Sequence, residues 1–417
     1  MTDPRPRVIY WFNQPTPYVV NRFNAVADRG AVDLEAWFSE VRQPDRSWDV
    51  DEREWRFRAR YIPARRFLGI RLRIPLAELA QTRPDVFVLE YDRLNHAIGA
   101  VAGRGTARRL AFRVLQNFDA WSKRTWWREL SKHLLFRAVD AVKVPGPDGR
   151  ALALRYGTEP DRASVVRQSV DLARYGAARE VPSSEREARR RSLGLSGCVF
   201  LYVGRLWQGK GLDEIFTAYS NLEAHLGEKT SLLIVGDGVD EPHYRRLFAS
   251  LPRVVMPGFI QPAELPRWYA LADCLVFPTH GDPNGLVVEE ALAAGLPVIV
   301  SDAAGDIRRR VPEGVVGHVF PVGSVRDLQE RMSRVALDPV VRSALARRAP
   351  EVAASKSDEG YAADFEAFVT DVMGHRQRSG PAAGVCRVLG HLAMLVARLQ
   401  GWRPAPYVQA GRPAGMP

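Results

Sequence analysis

The stretch Phe200-Leu-Tyr-Val-Gly-Arg-Leu-Trp-Gln-Gly-Lys-Gly211 is an apolar run that opens into a glycine-rich turn bearing two cations, Arg205 and Lys210. An unbroken apolar run bounded by glycine predicts a strand buried on both faces, as in a parallel sheet covered by helices. Glycine lets the backbone approach a ligand, and paired cations at the carboxyl end of such a strand suit the several anionic oxygens of a diphosphate. Related runs follow at Leu232-Leu-Ile-Val-Gly-Asp-Gly238, Met256-Pro-Gly-Phe-Ile260 and Ala272-Asp-Cys-Leu-Val-Phe-Pro-Thr279. Strands are therefore expected at 198–203, 231–235, 253–256, 274–277 and 297–300, with helices between them.

The last of these runs leads into His280-Gly-Asp-Pro-Asn-Gly-Leu-Val-Val-Glu-Glu-Ala-Leu-Ala-Ala-Gly295. Asp282 falls on the loop after a strand, and Glu290 lies eight residues on, in the helix that Gly285 opens. The free N–H groups of such a helix start suit a phosphate, and the two carboxylates bracket it. The alternative for Asp282, beside Pro283, is a plain turn residue. His280 is read as a polar loop residue rather than a catalyst, His96 is a weaker candidate still, and Gly236, Asp237 and Gly238 could be turn geometry alone.

Together these motifs resemble the second half of the GT-B retaining glycosyltransferases, specifically family 4, the group 1 glycosyl transferases. The resemblance is close from about 193 to 339 and extends more weakly toward residue 1. It implies an α/β GT-B fold of two Rossmann-like doubly wound domains facing a central cleft. The expected division is an acceptor-side domain at 1–172, a nucleotide-sugar donor domain at 173–375 whose last helix could return to the first domain, and a C-terminal extension at 376–417. The implied activity is transfer of a sugar from a nucleotide-diphosphate sugar to a glycan or lipid-linked acceptor, with no metal or other cofactor. Arg205 and Lys210 would meet the diphosphate, Asp282 the donor sugar and Glu290 the ribose. Gly204, Gly236, Gly258, Phe259, Ile260, Asn284, Gly285 and Leu286 would border the donor. A nucleotide-sugar-binding protein of the same architecture without transfer activity is the alternative.

The chain also departs from the family pattern. Asp282 stands for the usual Glu, Asn284 for a frequent aromatic residue, and Gly305-Asp-Ile-Arg-Arg309 for Gly-Gly-x-x-Glu. Asn13-Gln-Pro-Thr-Pro-Tyr18 replaces a glycine-rich loop, and Glu90 a common His. Arg167-Gln-Ser-Val-Asp171 occupies the place of an Asn-Gly-Val-Asp turn, putting the hinge near Leu172.

At 417 residues, 46% hydrophobic and 26% charged, the chain has the balance of a soluble protein with more than one core. The start shows no secretory pattern and the three cysteines are widely spaced, so a reducing cytoplasm is expected. The net charge of +11 points to an anionic partner. Nucleic acid is set aside because no recognition module appears, leaving a phosphorylated substrate or an anionic membrane surface.

In the first half, strands are expected at 7–12, 86–89 and 112–116 and a helix over 18–29. Trp55, Phe57, Ala59 and Tyr61 alternate with Arg56, Arg58 and Arg60, which predicts a strand with either a solvated basic face or an anion-facing one. Ser184 and Glu187 have capping-box spacing after a linker at 174–191. Between Trp121 and Arg137, helical spacing lines up Trp127, Leu130, Leu134 and Ala138 beside Arg124, Arg128 and Lys132. That face either packs on the sheet or lies at a membrane surface. The stretch 382–399 is apolar apart from Arg387, His391 and Arg398, too interrupted for a membrane span and suited to interfacial or domain packing.

Overall fold

The computed structural model describes residues 5–41, 48–67, 69–90, 94–114 and 126–408. Two compact units divide the chain: Met1–Gln168 with Asp358–Pro417, and Ser169–Ser357.

The first unit carries β1 (Arg7–Phe12), β2 (Asp33–Phe38), β3 (Arg58–Tyr61), an antiparallel hairpin of β4 (Arg65–Phe67) and β5 (Ile70–Leu72), then β6 (Val86–Glu90), β7 (Arg109–Arg113), β8 (Ala141–Val144) and β9 (Ala163–Val165). Apart from the hairpin these strands form one parallel sheet in the order β3-β2-β1-β6-β7-β8-β9. Helix α1 (Pro17–Arg29) starts where Thr16 accepts a hydrogen bond from the Val19 N–H and Pro17 takes the first turn, and it stops at Gly30 with φ +67°. Helices α2 (Leu94–Thr106) and α3 (Trp126–Ala138) follow.

The second unit carries β10 (Cys198–Val203), α4 (Leu212–Leu226), β11 (Thr230–Val235), β12 (Val254–Gly258), β13 (Cys274–Phe277), α5 (Val287–Ala293), β14 (Val298–Ser301) and β15 (Gly317–Phe320). Its sheet is parallel with the order β12-β11-β10-β13-β14-β15. The strand order reverses between β10 and β13, the kind of switch point at which open α/β sheets place their ligand sites.

Two C-terminal helices, α6 (Asp358–Gly374) and α7 (Pro381–Leu399), belong to the first unit. The last helix of the span expected at 173–375 thus returns to the first unit, an arrangement the sequence reading allows. The cause is apolar: Tyr361, Phe365 and Phe368 of α6 enter one core with Tyr10 and Phe23, while Cys386 and Met394 of α7 join Trp11 and Phe87 on the other face of the sheet. Helix α7 approaches α2 through small residues. A Cβ on Gly390 would lie 2.3 Å from the Val101 carbonyl oxygen. Gly390→Val is expected to cost about 1–3 kcal/mol by overpacking, read as a lower thermal midpoint. An unchanged midpoint would mean that α7 does not dock on α2.

Other expectations shift in detail. Of the strand read at 112–116, residues 112 and 113 belong to a strand that starts at Arg109, and 115 and 116 lie outside the described residues. Only Arg58–Tyr61 of the aromatic-arginine segment is strand, because Asp51 caps a 3-10 turn at Glu52–Glu54 just ahead of it. Phe57 and Ala59 face inward while Arg56 and Arg58 are exposed and ion-paired, to Asp28 at 2.6 Å and Asp33 at 2.6 Å; Arg60 alone is buried, on Glu35 at 2.9 Å. No capping box forms, since helix Ser183–Ser192 begins after Pro182 and has no side-chain cap; Arg186 and Arg190 instead hold Asp273. In α3, Ala138 is buried, but Leu130 and Leu134 are exposed. Lys132 is also buried, donating to the Tyr156 hydroxyl at 3.2 Å and to Glu129 at 3.3 Å, so it belongs to no cationic row. Arg124 and the side chains of Trp127 and Arg128 lie outside the described residues.

Candidate active site

The turn after β10 and the loop after β13 meet at the reversal of strand order. Gly211 has φ +74°, and a Cβ there would lie 2.1 Å from the Pro278 carbonyl oxygen, so only glycine allows this approach. The His280 N–H donates to the Gly209 carbonyl at 3.0 Å. Lys210 is thereby turned toward Asp282, its Nζ 2.5 Å from Asp282 Oδ2 and 5.6 Å from the centre of the Phe277 ring. Both side chains are mostly buried.

Asp282 does two jobs. Its Oδ2 holds Lys210, while its Oδ1 accepts the N–H groups of Asn284 at 2.9 Å and Gly285 at 2.5 Å. Burial by itself raises the Asp282 pKa. The Lys210 ammonium and the two backbone donors outweigh that effect and hold the carboxyl below the usual range, so it stays ionised. The turn role read from the sequence is carried by Oδ1, and the ion pair to Lys210 by Oδ2. The Gly285 N–H, expected at a phosphate, is used by Asp282, whereas the Leu286 N–H makes no backbone hydrogen bond among the described residues. Asn284 stays at the same loop, half-buried.

Arg205 precedes Lys210 on the same turn, and its carbonyl accepts the Tyr202 hydroxyl at 2.9 Å. Burial and then the Asp282 charge push the Tyr202 phenol well above its ordinary pKa, keeping it a donor. Gly204 and Gly236 are packing glycines: a Cβ on Gly236 would lie 1.9 Å from the Gly204 carbonyl oxygen. The Gly236 N–H continues the tie to Gly258, which ends β12 beside half-buried Phe259 and Ile260. His280 has Nε2 2.5 Å from Glu214 on α4, a latch on the rim of the loop. His96 is buried edge-on against Trp11.

Glu290 lies in α5, almost fully buried, with Oε2 accepting the Tyr269 hydroxyl at 2.7 Å. Its neighbour Glu289 forms a two-point ion pair with Arg310, at 2.6 and 2.5 Å, and Arg310 also donates to the carbonyls of Gly305 at 2.9 Å and Gly285 at 3.1 Å. Tyr269 and Arg310 escape a sequence reading because each sits 21 residues from its carboxylate. The one signal for Arg310 is its place directly after the altered 305–309 segment.

At the matching point of the first sheet, Glu90 ion-pairs with Arg113 and accepts from Asn13 at 3.3 Å. Nearby, Lys143 is buried with its ammonium 4.9 Å from the Tyr361 ring centre. Burial first, then the charges of Arg113 and Arg22, lower its pKa well below the lysine range. Its signal in the sequence is a lone charge in Ala141-Val-Lys-Val144. No group of three or more metal-ligating side chains occurs among the described residues.

Two parallel Rossmann-like sheets with the loops of β10 and β13 at a switch point define the GT-B class. The solved structure of HepE from Anabaena, in complex with UDP, matches this fold with a TM-score of 0.71 at 16% identity, covering 87% of this chain and 99% of that one. Residues 197–338, within the second unit, match the family described as glycosyl transferases group 1, over the same stretch where the resemblance read from the sequence is close. Among curated relatives, a D-inositol 3-phosphate glycosyltransferase of Kribbella flavida is 27% identical over 238 residues, 54% of this chain and 54% of that protein. A sulfoquinovosyl transferase of Arabidopsis thaliana is 27% identical over 291 residues, 66% of this chain and 54% of that one. The chain spans about half the length of these two curated relatives.

Proposed function

We propose that the protein is a retaining glycosyltransferase that moves a sugar from a nucleotide-diphosphate sugar to a lipid-linked or growing polysaccharide acceptor. The observation that carries this reading is the Lys210–Asp282 pair at the β10/β13 switch point, with Arg205 on the same turn. As the glycosidic bond breaks, negative charge gathers on the departing diphosphate. Fixed cations stabilise that charge more in the transition state than in the ground state. Lys210 has three donor hydrogens, so one can stay on Asp282 while the others turn to the phosphate. Asp282 then sets the Lys210 ammonium and the 282–285 loop against the donor sugar, and Glu290, steadied by Tyr269, takes the ribose hydroxyls. This charge arrangement needs no metal, and turnover is expected to survive EDTA.

The direct test is a thermal-shift screen with UDP-, GDP-, ADP- and dTDP-sugars. One of them at 100 times its Kd should stabilise the protein by about 2.7 kcal/mol. No shift with any of the four would sink the donor reading. Retention is read separately, by NMR of the anomeric proton in the product; an inverted anomer would remove that part alone.

Asp282→Asn separates the roles further. The variant loses the ion pair to Lys210 but keeps an oxygen for the Asn284 and Gly285 N–H groups. It should lower turnover and affinity for the intact donor more than affinity for the free nucleoside diphosphate. Equal losses in calorimetry with both ligands would contradict a role at the sugar.

A further inference from the structure

Helix α7 is long and apolar enough by composition to cross a membrane. It is instead docked lengthwise on the first unit, against α2 through Gly390 and beside α3. At about 100° per residue, its side chains fall into three sectors. Ala383, Cys386, Gly390, Ala393 and Ala397 face inward and are buried. Val385, Val388, Leu389, Leu392, Leu395 and Leu399 form an outward stripe, with Val388 61% and Leu399 79% exposed. Arg387 and Arg398, with His391 between them, line one edge of that stripe. The helix contains no carboxylate.

The apolar surface does not end with α7. Its neighbour α3 exposes Trp126 (79%), Leu130 and Leu134 at helical spacing. Past the C-terminal end of α7, Trp402 packs on Phe67 of the β4–β5 hairpin, whose tip exposes Ile70. Exposed Arg66, Arg71 and Arg403 surround that end. Unlike Arg56, Arg58 and Arg60, none of Arg66, Arg71, Arg387, Arg398 and Arg403 has an ion-pair partner among the described residues.

We propose that this face is a docking surface for an anionic phospholipid bilayer, with α7 lying in the headgroup plane. A protein or a second copy covering the stripe would be expected to bring carboxylates to the five unpaired arginines. A bilayer supplies both needed properties at once: acyl chains under Leu392, Leu395 and Leu399, and anionic headgroups for the arginines. The inference deepens the lipid-linked-acceptor reading and rests on it for its purpose, but binding to vesicles requires neither donor nor acceptor.

The experiment is co-sedimentation of the full chain with vesicles of phosphatidylcholine alone or mixed with phosphatidylglycerol, at low and raised salt. Two variants accompany the wild type: Arg387→Gln with Arg398→Gln, and Leu392→Ser with Leu395→Ser and Leu399→Ser. All five positions are exposed, so both variants should fold. Wild type is expected to pellet with the anionic vesicles and to be released by salt. The arginine variant should bind more weakly by on the order of fivefold per arginine, and the leucine variant should remain in the supernatant. Wild type left in the supernatant, or both variants binding as wild type does, overturns the proposal. So does a wild-type dimer that the leucine changes turn into monomers without any vesicle binding. A thermal shift with UDP, GDP, ADP or dTDP on the same three proteins reports the donor site separately, so loss of one reading is not mistaken for loss of the other.

Discussion

Lys210→Ala is expected to lower kcat by about 10² or more, the range for removing one preorganised group that meets a developing anion. Lys210 is held at its post by Asp282 and by the forced approach of Gly211 to Pro278, so little reorganisation is needed when charge appears. The loss should fall on kcat and kcat/KM together, because the interaction strengthens in the transition state. Arg205→Ala should behave alike, and the double variant should lose less than the product of the two, since both act on one diphosphate. Steady-state kinetics on variants with unchanged thermal midpoints decide this. A folded Lys210→Ala with wild-type turnover would remove the residue from the chemistry. A fall in midpoint with turnover preserved would leave the Lys210–Asp282 pair as a loop clasp only.

The second large effect is on affinity. Glu290→Gln should weaken both the free nucleoside diphosphate and the intact donor by about tenfold to a hundredfold, as for losing a hydrogen bond to a charged acceptor. Gln keeps the shape and can still accept from Tyr269, so stability should hardly change. Tyr269→Phe removes only the positioning bond at 2.7 Å and should weaken both ligands by less. Calorimetry with the two ligands measures all of this. Undiminished nucleotide affinity in Glu290→Gln would place the carboxylate among purely structural groups, next to Glu289 with its Arg310 clamp.

The parts of the molecule that could be read from residues alone are those with local signals. Phe200–Gly211 and Leu232–Gly238 announce themselves because a strand buried on both faces must be continuously apolar and must exit through glycine when loops press together. The tight Gly236–Gly204 approach is the physical reason for that glycine. What was missed depends on partners far away in the chain. Lys132 looks like a surface cation until Tyr156, 24 residues on, takes it inside. Arg60 looks like part of one basic face with Arg56 and Arg58 until Glu35, on the neighbouring strand, takes it inside. For helix α6 the sequence leaves both domains open, because amphipathic spacing shows that a helix has an inner face, not which sheet that face meets.

The place of α6 also bears on how the protein is made. Its Tyr361, Phe365 and Phe368 complete a core begun by Tyr10 and Phe23 more than three hundred residues earlier. On the ribosome, the first seven-stranded sheet emerges without the cover that α6 and α7 give its two faces and waits while the whole of Ser169–Ser357 is synthesised. At roughly 5–20 residues per second, that wait lasts on the order of ten seconds or more. The later-made unit, contiguous in the chain, can complete its core before the first unit receives its last two helices.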